Sequence, residues 1–249
     1  MTDTAEQWDE RWRKYSRSAL RNPAQAYRRK LILSLLMSET PRPLRVLDVG
    51  SGQGDMARAL LRADPEIRVL GLELSAFGVS IAREKVPAAR FLQRDLMESA
   101  AVPAEFAGWA NFAVCSEVLE HVDDPVRLLR HAAAYMASGC KVVVTVPGGP
   151  MSAFDRQIGH RRHFRAGELK EIAEKAGFRV RFARGAGFPF FNLYRLTVLA
   201  RGRRLIEDVG GSDLSLPARA AMRAFDILFR FNLDRGPAGW QIVALLEAA

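Results

Sequence analysis

The sequence predicts an α/β fold in which short, mostly parallel strands alternate with helices lying on both faces of one sheet, and three observations predict it. Short apolar or β-branched runs recur between segments with apolar residues at helical spacing. The first such run ends in a glycine-rich turn that opens a helix. No internal repeat or low-complexity tract breaks the alternation. At 249 residues the chain is long enough for one full α/β domain and too short for two with a linker, so 1–249 reads as a single domain.

The elements follow in order. Residues 1–40, with Trp8, Trp12, Tyr15 and Tyr27 among basic residues, read as an N-terminal helical lid ending before about Pro41. The core, 41–184, begins with the strand Arg45 to Val49. Asp55 to Arg62 then sets Met56, Ala59 and Leu60 on one side of a helix. Val69 to Leu74 is the second strand. Ser75 can cap a helix running to about Lys85, because its hydroxyl oxygen can accept from an orphan N–H of the first turn. Arg90 to Leu92 and Phe112 to Cys115 are the third and fourth strands.

Asp123 to Ala137 reads as a helix, with Pro125 in its first turn, a stripe from Val126 to Met136 and Gly139 as the stop. Lys141 to Val146 (KVVVTV) is the strand of a sheet centre, apolar on both faces. Gly167 to Ala176 is a helix stopped by Gly177, Phe178 to Phe182 a strand with one packed face, and Trp240 to Leu246 the strand that closes the sheet, within 238–249. Two stretches stand outside the alternation, Pro147 to Ala166 and Gly185 to Gly239. The second is too long for a structureless loop. It carries an aromatic run (Gly187 to Leu196) and an amphipathic helix near Ala218 to Phe231, so 185–237 reads as a helical cap inserted before the last strand.

Composition bounds the function. With 49% hydrophobic and 26% charged residues, collagenous, low-complexity and wholly disordered readings are excluded. Met1 to Lys14 lacks the apolar stretch of a secretory signal, and no segment approaches the roughly 20 apolar residues that span a bilayer; the expected location is the cytoplasm. Cys115 and Cys140 are too few for a disulfide framework or a cysteine zinc site and are expected to be small buried residues. The net charge of +9 invites a phosphate-rich partner. The excess is spread over nearly every helix, however, and acidic small substrates or an anionic membrane surface would use it equally well.

The densest motif is Val46-Leu47-Asp48-Val49-Gly50-Ser51-Gly52-Gln53-Gly54, a strand running into glycines spaced Gly-x-Gly-x-Gly, where missing β-carbons allow a sharp turn and close approach to a ligand. The spacing is tighter than the Gly-x-Gly-x-x-Gly that faces a pyrophosphate in dinucleotide sites. Glu73 closes the second strand about twenty residues on, where such folds hold a ribose; a plain helix-entry charge is the alternative. Asp95-Leu96 after the third strand offers a carboxylate and a backbone N–H to an adenine, or is a solvated loop.

Together with Ser116-Glu117-Val118-Leu119-Glu120-His121-Val122, these features resemble the class I S-adenosylmethionine-dependent methyltransferases. Within that family they are most similar to the small-molecule branch of quinone-biosynthesis and secondary-metabolite enzymes. The resemblance covers roughly 44–184 and the closing strand. It implies a Rossmann-like sheet of seven strands, the last antiparallel, with the cofactor S-adenosylmethionine across the carboxyl ends of the first strands. It further implies that Asp48 and the backbone at Gly50 and Gly52 hold the methionine part, Glu73 the ribose, and Asp95 with Leu96 the adenine. Ser51, Gly54 and Leu74 complete that set, and Cys115, Ser116 and His121 border the sulfonium and the acceptor.

A sulfonium methyl is already activated, so the protein must supply alignment and, for a protonated acceptor, a base. His121, His160 and His163 are the candidates; His131, mid-helix among arginines, reads as a surface residue. His163 and Phe164 could instead only pin the next helix. His160-Arg161-Arg162-His163 could hold a metal, but the sequence shows no carboxylate cluster or cysteine beside it, so no metal is expected. Arg161 and Arg162 could pair with an acidic acceptor or stay solvated.

Cys115 lacks the Pro-Cys context of cytosine methylation and no Asn/Asp-Pro-Pro-Tyr follows strand four, so a nucleic-acid methyltransferase stays only as the weaker alternative. The leading expectation is methyl transfer to a small-molecule acceptor, acidic or lipid-linked, on oxygen before nitrogen or carbon. Phe188, Pro189, Phe190, Phe191 and Tyr194 line an apolar acceptor pocket or belong to the core. One alternative is a peripheral membrane or interaction protein using Phe225, Leu228, Phe229 and Phe231 among Arg219, Arg223 and Arg230. Another is a protein that keeps the cofactor site without methyl transfer.

Overall fold

The computed structural model describes residues 4–19, 22–39, 43–98, 101–202 and 216–249. The Pro41 boundary and 203–215 of the expected cap lie outside the described residues. Seven strands form one sheet in the order β3-β2-β1-β4-β5-β7-β6. They are β1 (Arg45–Val49), β2 (Arg68–Glu73), β3 (Arg90–Gln93), β4 (Ala110–Ser116), β5 (Met136–Pro147), β6 (Phe178–Ala186) and β7 (Gln241–Ala248). The pairs among β1 to β5 are parallel. β7 runs antiparallel between β5 and β6, as expected of the closing strand.

Alternation along the central strands builds a core on each face. Leu47, Ala113, Val142 and Val144 point to one side, where Leu128 and Leu129 of helix α5 (Pro125–Ala133) and Leu169 and Ala173 of α7 (Ala166–Lys175) cover them. Val46, Phe112, Val114 and Val143 point to the other. There they meet α2 (Pro23–Glu39) through Ile32 and Leu36, α3 (Asp55–Ala63) through Leu60, and α4 (Ala76–Lys85) through Val79 and Ala82. Ser75 caps α4, its hydroxyl accepting from Gly78 N–H at 2.9 Å.

Two boundaries differ from expectation. The helix read as Asp123 to Ala137 ends at Ala133, and Met136 pairs with Ala110 as the first residue of β5. An apolar residue just past a helix serves a strand as well as it serves the helical stripe, so periodicity could not separate the two. Gly139 therefore stops no helix; at φ +75° it lies in the stretch where β5 shifts register against β4. β6 also continues to Ala186, paired with β7 throughout.

The segments outside the alternation form a third, smaller cluster. Ala24 and Tyr27 of α2 pack with Phe191, Tyr194 and Val198 of α8 (Phe190–Arg201) and with Phe229, which follows α9 (Leu216–Leu228). Phe225 and Phe229 face inward on Tyr194, with ring centroids 5.3 and 5.8 Å away, whereas Phe231 is 67% exposed. The aromatic stripe of this helix is thus split between core and surface. Among the described residues no helix is long and apolar enough to cross a membrane. Cys115 and Cys140 are buried free thiols.

Leu60 is fully buried between α3 and the sheet. Leu60→Ala is expected to destabilise the fold by about 2–5 kcal/mol through lost transfer energy and the cavity left behind, read as a lower urea midpoint with an unchanged slope.

Candidate active site

The carboxyl ends of β1, β2, β4 and β5 open into a cavity of about 450 Å³. β1 ends in Gly50, Gly52 and Gly54, all at positive φ (+69°, +52° and +76°), a backbone that other residues adopt only with strain. Gly50 and Ser51 donate their N–H groups to Leu72 O at 2.8 and 3.0 Å, wrapping the turn around the end of β2. A β-carbon on Gly52 would stand 2.8 Å from the Trp12 ring, and one on Gly50 would collide with Val118.

Two buried carboxylates flank this turn. Glu73 accepts from Gly52 N–H at 2.8 Å with one oxygen, and from Ser75 N–H at 3.0 Å and the Trp12 indole N–H at 3.4 Å with the other. Burial pushes its pKa up against those hydrogen bonds. Asp48 is 3% exposed and its Oδ2 has no hydrogen-bond partner among the described residues. Burial, then the charges of Glu73 and Asp55, raise its pKa to about 7.

Helix α1 (Ala5–Ala19) lies over these groups. Its Asp9 accepts from the Ser75 hydroxyl and, at 3.1 Å, from Phe77 N–H in the first turn of α4, where the helix dipole favours an anion. The sequence marked Trp12 as aromatic without a partner; its contact with Glu73 spans 61 residues and leaves no local signal.

Ser51, Leu74, Asp95, Leu96 and Ser116 line the cavity, as do His121 and His160. Gly54, Cys115 and His163 do not reach it. Gly54 precedes α3, and Cys115 turns into the core, its thiol pKa pushed up by burial. The Asp95 carboxylate accepts from Met97 N–H at 2.7 Å, closing its own loop. His131 corrects the surface reading: it is half-buried, and its Nδ1 donates to Leu96 O at 2.8 Å.

Sequence reasoning missed Glu117. It is the only non-glycine residue with positive φ (+58°) among the described residues, a strain that concentrates at functional sites. Its carboxylate pairs with Arg28 at 3.3 Å and accepts from Gln241 Nε2 at 3.0 Å and from the Thr145 hydroxyl at 3.3 Å. Arg161 and Arg162 both bind Asp123 instead of the cavity. Arg28 and Arg195 stand on its wall.

The histidines converge. The His121 and His160 rings meet edge to face at 4.8 Å. His160 Nδ1 lies 3.3 Å from His163 Nε2, and His163 Nδ1 is 3.0 Å from Gly149 O. Burial lowers the pKa of His160 and of His163, holding both neutral. The expectation that no carboxylate accompanies them is corrected. Glu120, fully buried, sits 4.0 Å from His121 Nε2 and 3.9 Å from His160 Nε2. Asp155 also lies 3.7 Å from His163 Nε2. Glu120 was visible in the Glu-His pair of the motif after strand four, and Asp155 stands only a few residues ahead of His160 and His163 in the chain.

Because the folded-state pKa of Asp48 exceeds its unfolded value, the native state keeps a proton that the unfolded chain releases. Its contribution to stability is complete below about pH 4 and lost as pH rises through about 7. Asp48→Asn is expected to flatten this loss, which urea unfolding at about pH 5 and about pH 8 would measure against the wild type.

A family model described as a methyltransferase domain matches residues 19–181. Trans-aconitate 2-methyltransferase of Rhodopseudomonas palustris is 25% identical over 152 residues, 57% of this chain and 57% of that protein, so the match spans less than two thirds of its length. Ubiquinone biosynthesis O-methyltransferase of Bordetella avium is 31% identical over 175 residues, 61% of this chain and 70% of that protein. Among solved structures, the [4+2]-cyclase SpnF has a TM-score of 0.64 at 18% identity, covering 99% of this chain and 97% of the cyclase. A phosphoethanolamine N-methyltransferase of Haemonchus contortus with S-adenosyl-L-methionine has 0.58 at 18% identity, covering 89% and 52%. With a family model spanning well over half of its residues, the chain belongs to the methyltransferase-domain family.

Proposed function

We propose that the chain is a cytoplasmic S-adenosylmethionine-dependent methyltransferase of a small-molecule acceptor, acting on oxygen in preference to nitrogen or carbon. The observation that carries the reading is the pair of buried carboxylates, Asp48 and Glu73, on either side of a glycine turn at the carboxyl ends of β1 and β2. A dinucleotide pyrophosphate would meet two like charges there; a ligand with a cationic sulfonium, an ammonium group and ribose hydroxyls meets acceptors. Asp48 Oδ2 and Ser51 Oγ, both buried without a hydrogen-bond partner among the described residues, fit a ligand that brings its own donors.

In this reading Asp48 and the backbone of Gly50 and Gly52 hold the methionine part. Glu73 exchanges its Trp12 hydrogen bond for ribose hydroxyls, and the Asp95–Leu96 loop, braced by His131, takes the adenine. The bound cofactor supplies an activated methyl group. Phe191 and Tyr194 give the acceptor an apolar wall, and His121 and His160, kept beside it, face its reacting group. Residues 1–249 act as one domain, with α1 and α2 as the lid and the 185–237 segment as the cap. The O-methylating ubiquinone relative and the carboxylate-bearing trans-aconitate relative support an oxygen acceptor with apolar or acidic character.

A second reading, retention of the cofactor site without methyl transfer, draws on the whole-chain likeness to a cyclase. A methylated product detected by mass spectrometry separates the two.

Calorimetry with S-adenosylmethionine is expected to give micromolar binding, weakened at least tenfold in Asp48→Ala and Glu73→Ala, about 1.4 kcal/mol each, and none with NADH. Affinity should rise as pH increases through about 7, where Asp48 becomes the carboxylate that attracts a cation, and Asp48→Asn should abolish that rise. Folded protein that binds nothing at millimolar ligand would sink the proposal.

A further inference from the structure

The cap helices carry apolar side chains on two faces. Inward, Phe191, Tyr194 and Val198 of α8 and Met222 of α9 line the cavity, and Phe225 and Phe229 close on Tyr194 behind them. Packing within the domain accounts for this inner set. It does not account for the apolar residues on the outside.

Ile227, Phe231 and Leu233 are 56, 67 and 61% exposed. Ile227 and Phe231 stand four residues apart, on α9 and the 3₁₀ turn that prolongs it (Phe229–Phe231), so they are neighbours on one helical face. The chain is then extended at Asn232, whose side-chain oxygen accepts from Phe190 and Phe191 N–H at 2.9 and 3.3 Å. Successive side chains of an extended segment point to opposite sides. With Asn232 turned inward, Phe231 and Leu233 both turn outward. Leu233 pairs with Phe188 in an antiparallel bridge, where opposite residues share a side, and Phe188 is exposed as well.

Exposed apolar side chains are ordinary when scattered singly, whereas a contiguous set marks a contact surface. Charge identifies the partner. Arg223 lies one turn before Ile227, Arg230 adjoins Phe231, and Arg235 follows Leu233 by two residues; all three are exposed. Of the two acids in the same stretch, Asp226 is exposed and Asp234 is engaged by the Tyr27 hydroxyl. A second copy of the chain fits this face badly, because a two-fold interface sets a patch against itself and would bring arginines to arginines. An anionic bilayer takes both parts: apolar side chains enter the boundary between headgroups and acyl chains, and guanidinium groups meet lipid phosphates.

We propose that this outer face of the cap, Phe188, Ile227, Phe231 and Leu233 with Arg223 and Arg230, docks the protein on an anionic phospholipid surface. The set differs from the one that helical spacing alone suggests, since Phe225 and Phe229 are spent in the core. The same helices therefore wall the cavity with one face and meet lipid with the other. Docking is a property of the surface and holds whichever reaction proceeds beneath the cap.

The test is co-sedimentation of the full chain with vesicles of phosphatidylcholine alone and of phosphatidylcholine mixed with phosphatidylglycerol, without cofactor or acceptor. The expected result is uptake by the mixed vesicles, far weaker uptake by phosphatidylcholine alone, and release as salt screens the arginines. Ile227→Glu and Phe231→Glu should each lower the affinity at least about tenfold, because each removes apolar area and puts a charge at the acyl boundary. Arg223→Gln combined with Arg230→Gln should remove the preference for anionic vesicles. Met37→Glu, which puts the same charge at an exposed apolar position on α2, should bind as wild type does. All these side chains are exposed, so the thermal midpoints should stay at the wild-type value and lost binding is not lost folding. Wild type that stays in the supernatant with the mixed vesicles, or Ile227→Glu and Phe231→Glu bound as tightly as wild type, overturns the proposal. So does a wild-type dimer in light scattering that Phe231→Glu splits, which gives the face to a second copy. Because uptake is read without cofactor or acceptor, its failure leaves the methyltransferase reading standing.

Discussion

The site is organised around one carboxylate. Glu73 ends β2 and accepts from the glycine turn after β1, from the start of α4 and from α1. A single buried acid thereby joins two parallel strands, the helix between β2 and β3, and the N-terminal helix. Replacing it leaves two backbone N–H groups and an indole short of an acceptor at the same point, which is why its burial is tolerated. Asp48, a few ångströms of backbone away in the neighbouring strand, lacks such donors and holds its proton to about pH 7. The contrast between a tied acid and an untied one gives the first two strand ends different chemistry.

The acceptor side is built on opposite terms. There two of the arginines on the wall, Arg28 and Arg195, each meet an acid, Glu117 and Asp155, so their charge is neutralised in place. Glu120 stands apart from this scheme: it is fully buried, neither oxygen has a hydrogen-bond partner among the described residues, and burial pushes its pKa well above the usual carboxylate range.

Much of the fold was legible because it rests on local patterns. The β-branched run in β5 could be read as a central strand from composition, and the glycine turn and Glu73 from their spacing in the chain. Boundaries failed where one residue suited two elements, as Met136 did. The rest of the site was illegible for a different reason. Trp12 reaches Glu73 and His131 reaches Leu96 only through packing of helices onto the sheet, and nothing near them in sequence announces it. The arginines between the two histidines looked like ligand contacts because of their neighbours, yet Asp123 takes both. Glu117 had a signal in its backbone rather than its sequence, a left-handed residue where glycine would be usual.

Helix α1 carries two indoles one turn apart. Trp12 rests on the glycine turn and Glu73, while Trp8 stands edge-on to His121 at 4.8 Å. The same rigid rod therefore touches the strand-end carboxylate with one ring and the histidine cluster with the other. The two rings lie 6.1 Å apart, so a shift of α1 on ligand binding moves both at once, and indole fluorescence would report the helix as one unit.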